Sequence, residues 1–417
     1  MYKEFGISEE ILKKACEVER ELTEIFKNLD ENCMKSSSKV LKAFQNNKVS
    51  TTDFIEITGY GDFDGGREKL EKIYSEILGS EDALVRPQIM SGTHAIYLCL
   101  SGLLKYGDTM ISISGDPYDT LRSVIGTIGD SESSLIKNGI KYEQIELVNN
   151  DFDYEKITER IKQGNIKLIE IQRSRGYSQR KSLSIEKIEK VIKLIKQMDK
   201  NIIIMVDNCY GEYVEDKEPT EVGADIIASS LMKNLGGGIA TSGGYVAGRK
   251  DLVHLVAERL TAPCIGKSQG ANFNQLLSYY KGLFLAPSVV CSSLKTMIFS
   301  SRMLEKFGFD NIIPKYNEKR TDIIQTIDLK SKENLIKFCR GLQKGLPIDS
   351  HFEPTPEVMP GYPHEEIMAN GSFTPGSTIE LSGDGPVTEP YTVYIQGGLT
   401  FEYGKLGIMI AIENMIK

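Results

Sequence analysis

The sequence contains no tryptophan and only four histidines in 417 residues, namely His94, His254, His351 and His364. No two of these histidines stand at a spacing typical of metal ligands, so the sequence predicts no metal site. The seven cysteines form no Cys-x-x-Cys pair, which argues against a disulfide framework or a zinc site and predicts reduced thiols. They are Cys16, Cys33, Cys99, Cys209, Cys264, Cys291 and Cys339.

Long apolar runs and an excess of positive charge are also missing. No apolar run in the sequence approaches membrane-spanning length, and the N-terminal segment is charged like an amphipathic helix and unlike a signal peptide. Asp and Glu outnumber Lys and Arg by 58 to 50, a formal charge of −8, which argues against nucleic acid or an anionic membrane as the main partner. We therefore expect a cytoplasmic protein that binds neither nucleic acid nor membranes.

Two glycine-rich segments resemble nucleotide-binding motifs, but each lacks a required glycine. Residues 266–268 match the end of a phosphate-binding P-loop, which needs a glycine at position 261, where this chain has Thr261. Residues 59–66 would need the third glycine of a dinucleotide fingerprint at position 64, which is Asp64. A nucleotide-binding α/β protein is therefore a weak alternative.

Apolar strand candidates alternate with helical stretches, such as residues 184–198, through the middle of the chain. Strands that are apolar on both faces and separated by helices are typical of a parallel sheet covered by helices on both sides. The sequence therefore predicts an α/β fold. The strand candidates are 108–114, 166–172, 201–208, 225–230 and 243–248.

The length of the chain and a change of pattern near residue 300 predict more than one domain. We expect an N-terminal helical arm at residues 1–58, a large domain at 59–300 and a smaller C-terminal α+β domain at 301–417. Within the small domain, one segment is predicted as helix, 322–345, and three as strands, 350–362, 365–373 and 377–383.

A possible phosphate site follows an early strand, where Ser91–Ala95 (SGTHA) opens a helix. Small residues there leave backbone N–H groups free at the positive end of the helix dipole, which favours phosphate. The alternative is an ordinary helix start with Ser91 or Thr93 as N-cap. Beyond a later strand, Tyr118 either stacks on a ligand ring or is an ordinary core tyrosine.

Asp207 and Lys233 each follow an apolar strand, at the end of the sheet where ligands bind in open α/β folds. A carboxylate at Asp207 is partly desolvated there, or it is a helix N-cap. Lys233 precedes the glycines at 236–238, which let the backbone approach a flat ligand closely. The alternative for Lys233 is a solvated lysine in a turn.

Together these features match the requirements of pyridoxal phosphate (PLP), which needs a phosphate seat, a stacking ring, a carboxylate and an amine. A lysine among apolar neighbours is expected to lose its proton more easily and to act as a nucleophile. The sequence therefore predicts PLP as the cofactor.

The chain resembles the methionine gamma-lyase-like family of fold-type-I PLP enzymes, a group also labelled aluminium-resistance or cystathionine beta-lyase-like proteins. The segments that carry the resemblance are RPQIMSGTHA, GDPYDTL, IQRSRGYSQRKSL, VDNCYGEYVE, SSLMKNLGGGIATSGGYVAG and PYTVYIQGGLT, between Arg86 and Thr400. The resemblance implies a large, mostly parallel, seven-stranded sheet domain followed by a smaller α+β domain.

The resemblance also implies roles for individual residues. Lys233 would form the Schiff base with PLP and carry protons, Asp207 would keep the ring nitrogen protonated, and Tyr118 would lie over the ring and protonate the leaving thiol. Tyr60 would reach the phosphate of a neighbouring subunit, which implies a homodimer or homotetramer with active sites at the subunit interface. The phosphate would be held by Ser91, Gly92, Thr93 and Ser230.

One feature departs from the family pattern. Relatives hold the substrate carboxylate with an arginine near the C-terminus, whereas the last arginine of this chain is Arg340, in a predicted helix. Arg173 and Arg175, in the loop after strand 166–172, are the candidates for this role because a guanidinium binds a carboxylate with two hydrogen bonds. The alternative is that one of them pairs with an acidic neighbour.

The resemblance implies a carbon–sulfur lyase that acts by β- or γ-elimination on a sulfur amino acid such as methionine, cystathionine or cysteine. The products would be a keto acid, ammonia and a thiol. Another PLP reaction, of the aminotransferase or aldolase type, and a PLP-binding stress or regulatory protein with little turnover are the alternatives.

Overall fold

A computed structural model describes residues 2–60, 64–358 and 364–417. The chain divides into two compact units: Ser36–Phe284 forms the larger, and Met1–Lys35 with Leu285–Lys417 forms the smaller. These boundaries do not coincide with those predicted at 58/59 and 300/301. The two observed boundaries, at 35/36 and 284/285, fall inside the long helices Glu9–Asn46 and Leu276–Lys306. The sequence pattern does not change within these helices.

The larger unit is built on a seven-stranded sheet with the strand order β1-β7-β6-β5-β4-β2-β3. Strands β2 to β6 pair in parallel, whereas β7 runs antiparallel to both β6 and β1. The predicted α/β fold with a mostly parallel seven-stranded sheet is confirmed. The elements are α1 (Glu9–Asn46, from Ser36 onward), α2 (Gly65–Leu78), β1 (Asp82–Arg86), α3 (Gly92–Leu103), β2 (Thr109–Ser112), α4 (Asp119–Ile125), β3 (Lys141–Gln144), α5 (Tyr154–Lys162), β4 (Leu168–Gln172), α6 (Ile185–Met198), β5 (Ile203–Asp207), β6 (Ile226–Ser230), β7 (Gly244–Gly248), α7 (Lys250–Leu260) and the first residues of α8 (Leu276–Lys306).

The core of this unit explains why its central strands are recognisable in the sequence. Every residue of β4, β5 and β6 is buried, so apolar side chains predominate on both faces, with Glu170 in β4 as a buried acidic exception. Strand β3 was not predicted because it lies at the edge of the sheet, and none of its four residues is fully buried. Edge strands carry polar side chains and lack an apolar pattern.

The smaller unit contains a six-stranded antiparallel sheet with the order β10-β11-β12-β13-β9-β8. Residues 322–345, predicted as one helix, divide into a strand and a helix, because the first part pairs with β13 on one side and β8 on the other. Of the predicted strands, 365–373 contains β11, 377–383 overlaps only the start of β12, and 350–362 lies partly outside the described residues. The elements are β8 (Ile312–Ile313), β9 (Ile324–Asp328), α9 (Lys332–Lys344), β10 (Glu357–Val358), β11 (Glu365–Asn370), β12 (Ser382–Pro386), β13 (Thr392–Gln396) and α10 (Phe401–Ile416).

Helix α8 corrects the expectation that no segment approaches membrane-spanning length. Among the described residues it is the one helix long and apolar enough to cross a membrane by length and composition. However, 72% of its most apolar 18-residue window is buried inside the protein. Buried core helices pass the same test of length and composition, so the feature is weak evidence for a membrane span.

Candidate active site

The candidate site lies where β4, β5 and β6 end side by side. Gln172 pairs with Asp207, and Asp207 pairs with Ala228, so the carboxyl ends of the three strands meet at one edge of the sheet. Lys233 follows β6 after two residues. This edge is where ligands bind in open α/β sheets, and the structure brings the predicted acid and amine to it.

A sharp turn holds Lys233 at the start of a 3₁₀ segment. A Cβ atom on Gly236 would fall 1.6 Å from the carbonyl oxygen of Leu231, so only glycine fits there. The amide of Asn234 donates to the carbonyl oxygen of Glu212 at 2.9 Å and fastens the turn to the neighbouring loop. The glycines after Lys233 therefore form a compact turn that keeps the lysine half-buried.

The start of α3 faces the lysine. Ser91 is the N-cap, and its Oγ accepts from the backbone N–H of His94 at 3.1 Å, as the simpler interpretation of this segment predicted. A Cβ atom on Gly92 would lie 3.2 Å from Cys209 Sγ, 3.5 Å from Ser230 Cβ and 3.7 Å from Lys233 Nζ. The N-terminus of α3, the end of β6 and the lysine thus surround one small space.

Tyr118 lies beside the same helix start. Its hydroxyl is 3.0 Å from Thr93 Oγ1, and its backbone N–H donates to Gln172 Oε1 at 2.9 Å. Burial raises the pKa of Tyr118 well above its usual value, Asp207 and Cys209 add to this rise, and Lys233 opposes it. The phenol is therefore protonated at neutral pH and is in the form that can donate a proton.

Asp207 is 3% exposed, and its Oδ1 accepts from the backbone N–H of Cys209 at 3.0 Å. A series of turns follows it, so the alternative of a helix N-cap is wrong. The carboxylate is held by its own turn at the end of β5.

The pKa of Lys233 is the property in which the structure differs most from the sequence expectation. Burial lowers this pKa as predicted, but the acidic groups around the amine raise it, and the net shift is upward. The expectation of an easily lost proton considered only the apolar strands and not these neighbours. The groups are Cys209, Tyr210 and Tyr118, each of which acts only when ionised, and the Asp207 carboxylate.

Cys209 and Tyr210 were not identified as site residues from the sequence. Their place directly after Asp207 in VDNCYG was the signal that could have found them. Burial raises the pKa of the Cys209 thiol to about 12, and Asp207 adds to the rise. Cys209 is therefore a neutral thiol at pH 7.

The two candidate arginines have different surroundings. Arg173 is fully buried, and its guanidinium lies 3.1 Å from Glu215 Oε2 and 3.6 Å from Glu218 Oε2 and donates to Asn208 Oδ1 at 2.8 Å. It thus pairs with acidic neighbours, the alternative left open by the sequence. Arg175 is 2% exposed in the loop after β4.

Tyr60 lies on the surface of the described chain. It is 81% exposed and forms an isolated β-bridge with Gln269. Its predicted contact with the phosphate of a neighbouring subunit stays a prediction.

Comparison with known proteins gives the family. The family model described as methionine gamma-lyase matches residues 11–416. The chain belongs to the methionine gamma-lyase family. The uncharacterized protein YnbB of Bacillus subtilis (strain 168) is 44% identical to this chain over 98% of this chain and 97% of YnbB.

Solved structures of the same family superpose on nearly the whole chain. A protein from Clostridium acetobutylicum described as involved in aluminum resistance is 45% identical, with a TM-score of 0.96 over 100% of this chain and 98% of that one. A carbon–sulfur lyase involved in aluminum resistance from Clostridium novyi NT is 44% identical, with a TM-score of 0.95 over 99% and 97% of the two chains.

A more distant neighbour shares the fold alone. The pyridoxal-5'-phosphate dependent protein YhfS from Escherichia coli is 17% identical to this chain, with a TM-score of 0.61 over 91% of this chain and 95% of YhfS. The chain described here therefore has the fold of fold-type-I PLP-dependent enzymes.

The residues at the site fit PLP. A helix N-terminus with a cradle that a side chain at Gly92 would fill suits a phosphate. A buried carboxylate at Asp207 and the amine of Lys233 suit the ring nitrogen and the aldehyde. The residues that would hold the cofactor are Ser91, Gly92, Thr93, Tyr118, Asp207, Ser230 and Lys233.

Gly92→Ala is expected to weaken PLP binding about tenfold, because the added Cβ fills the cradle and overpacking costs about 1–3 kcal/mol. The affinity would be measured by titrating the cofactor-free chain with PLP and following fluorescence. Gly65→Ala is the matched control, because Gly65 also begins a helix and its Cβ would meet nothing within 4 Å. Equal affinities of the two variants for PLP would contradict the cradle.

Glu170, in strand β4, is expected to make the free energy of unfolding depend on pH. Burial raises the pKa of its carboxyl group from 4.5 to about 8, Asp207 adds to the rise, and Ser112 and Arg180 oppose it. Between these two pH values the folded chain holds a proton that the unfolded chain has lost, so the free energy of unfolding falls as the pH rises.

Glu170→Gln is therefore expected to remove this loss. The free energy of unfolding of the variant minus that of the original chain should be higher at pH 9 than at pH 5 by a few kcal/mol. Urea unfolding at both pH values would measure the difference. A difference that is the same at pH 5 and pH 9 would show that Glu170 does not titrate in this range.

Proposed function

We propose that this protein is a PLP-dependent carbon–sulfur lyase that acts by β- or γ-elimination on a sulfur-containing amino acid such as methionine, cystathionine or cysteine. The observation that carries the proposal is the position of the Lys233 amine, next to Gly92 and Ser230 and among Asp207 and Tyr118. The name of the Clostridium novyi relative, a carbon–sulfur lyase, supports the reaction class.

PLP supplies an electron sink that stabilises negative charge on the substrate's α-carbon. The chain's residues supply the rest. The buried carboxylate of Asp207 would hold a proton on the ring nitrogen. The amine of Lys233 can take and return protons at the substrate carbons, and the protonated hydroxyl of Tyr118 can donate to the departing thiolate as a general acid.

Arg175 is our proposed binder of the substrate carboxylate. Arg173 pairs with Glu215 and Glu218. Arg175 lies two residues further along the loop that leaves β4 and is 2% exposed. A guanidinium there can hold a carboxylate with two charge-assisted hydrogen bonds.

We also propose that the protein works as a homodimer or homotetramer in the cytoplasm. The exposure of Tyr60, 81% in the single chain, supports a role of this side chain at the active site of a neighbouring subunit. All seven cysteines lie in the described residues and are not joined by disulfides there, which supports a reducing compartment.

The function is tested by supplying the purified, cofactor-loaded protein with L-methionine, L-cystathionine, L-cysteine or L-homocysteine, without an added keto acid. Keto acid, ammonia and thiol released in equal amounts from one of them would support the lyase. A requirement for an added keto acid, or release of an aldehyde, would indicate an aminotransferase or an aldolase. Bound PLP with no turnover of any of the four would indicate a PLP-binding protein with a stress or regulatory role.

A further inference from the structure

Tyr210 places its ring against the reactive amine. Lys233 Nζ lies 4.0 Å from the centroid of the Tyr210 ring, well within the range of about 6 Å over which a cation is attracted to an aromatic face. Both residues belong to the larger unit, and Tyr210 follows Asp207 by only three positions.

The backbone at Tyr210 is unusual for an aromatic residue. Its φ is +70°, in the left-handed region that few residues other than glycine adopt, and Tyr213 in the same loop has a φ of +61°. Such conformations persist only where the surroundings hold them, and they cluster at functional sites. A loop with two of them needs fixed anchors.

A buried group of charged residues anchors this loop at both ends. Arg173 donates to Asn208 Oδ1, before Tyr210, and pairs with Glu215, after it. Glu218 accepts from the Asn208 side chain at 2.9 Å and from the backbone N–H of Tyr213 at 2.9 Å. The loop therefore presents the Tyr210 ring to the lysine from a fixed position.

We propose that Tyr210 is a positioning residue that holds the ammonium group of Lys233 in the site whenever this lysine is not bonded to the cofactor. The Lys233 amine is free before the cofactor is bound, and it would be free again while the amine of a substrate takes its place on the cofactor. Its long side chain has several rotatable bonds, and an aromatic face that attracts the charged form limits their freedom. The role concerns the lysine alone and is independent of which substrate the enzyme takes.

The other titratable groups that face Lys233 leave room for this role. Burial raises the pKa of Cys209 to about 12 and raises the pKa of Tyr118 further, so both are neutral at pH 7. The Asp207 carboxylate is bonded to the backbone N–H of Cys209. The ring of Tyr210 and the charge of Asp207 are thus the two features that favour the ammonium form.

The test compares Tyr210→Phe, which keeps the ring, with Tyr210→Leu, which removes it. The full-length chain, freed of cofactor, is labelled with trace acetic anhydride from pH 8 up to the highest pH at which the chain stays folded, above pH 11, and acetylation of Lys233 is followed by mass spectrometry. Lys196, which pairs with Asp225 in the same unit, is the internal reference. Circular dichroism confirms that each variant is folded.

We expect Lys233 in Tyr210→Leu to be acetylated about fivefold faster than in the original chain at pH 8, and its rate to level off about 0.7 pH unit lower. In Tyr210→Phe the rate should stay within about twofold of the original. Equal rates in all three chains would overturn the proposal, and so would a faster rate in Tyr210→Phe that matches Tyr210→Leu. A faster rate in Tyr210→Leu without a lower levelling-off would also overturn it, because it would reflect access of the reagent alone.

Discussion

Replacing Lys233 by alanine is expected to abolish covalent attachment of the cofactor and to reduce elimination by about 10³-fold or more. The lysine carries two functions in the proposed reaction, as the group that bonds the cofactor and as the group that moves protons, and loss of a general acid or base alone costs about 10²–10⁴-fold. Borohydride reduction of the cofactor-loaded protein, followed by peptide mass spectrometry, would find the cofactor on Lys233 in the original chain and on no lysine in the variant.

Lys193→Ala serves as the control for this experiment. The Lys193 side chain is 66% exposed and pairs with Glu189 on the surface of α6, so its removal should leave both attachment and turnover unchanged. Cofactor fixed to a lysine other than Lys233, or turnover in Lys233→Ala close to that of the control, would contradict both the site and the proposed function.

Arg173→Met is expected to lower the free energy of unfolding by about 3–5 kcal/mol, because it removes the Arg173 cation from the buried side chains of Glu215 and Glu218. Each of these side chains is 5% exposed. Burial already raises the pKa of Glu218, and Arg173 opposes that rise, so removal of the arginine should raise this pKa further. Denaturant unfolding of the full chain would measure the loss.

Arg249→Met is the matched control for Arg173. The Arg249 side chain pairs with Asp225 and Asp251 but is 42% exposed, so its loss should cost no more than about 1 kcal/mol. The comparison also separates two roles of Arg173. If Arg173 bound the substrate carboxylate and did not brace the loop, Arg173→Met would raise KM and leave the free energy of unfolding close to that of the control.

The alternation of apolar strands and helices was sufficient to predict the sheet and the residues at its edge. Burial on both faces makes β4, β5 and β6 mostly apolar, and the polar residues at or just after the ends of such strands stand out in the sequence. Asp207 and Lys233 were found in this way. The direction of β7 was not predictable, because an antiparallel strand buried on both faces has the same pattern as a parallel one.

Other features depend on contacts between residues far apart in the chain. The boundaries of the compact units fall within helices that continue unchanged on both sides. The pKa of Lys233 depends on groups from two other segments, residues 207–210 and Tyr118. The surroundings of Arg173 depend on carboxylates 42 and 45 positions further on. None of these neighbours is visible from local spacing.

The sequence by itself therefore determined the fold class and the family, and it indicated that Asp207 and Lys233 lie at one edge of the sheet, because strand burial and turn geometry act over a few residues. Only the tertiary structure decided that Arg173 braces a loop and that the ring of Tyr210 faces Lys233. The position of the Tyr210 ring depends on the left-handed backbone at this residue. The role of Arg173 depends on buried partners that come together only when the strands are assembled.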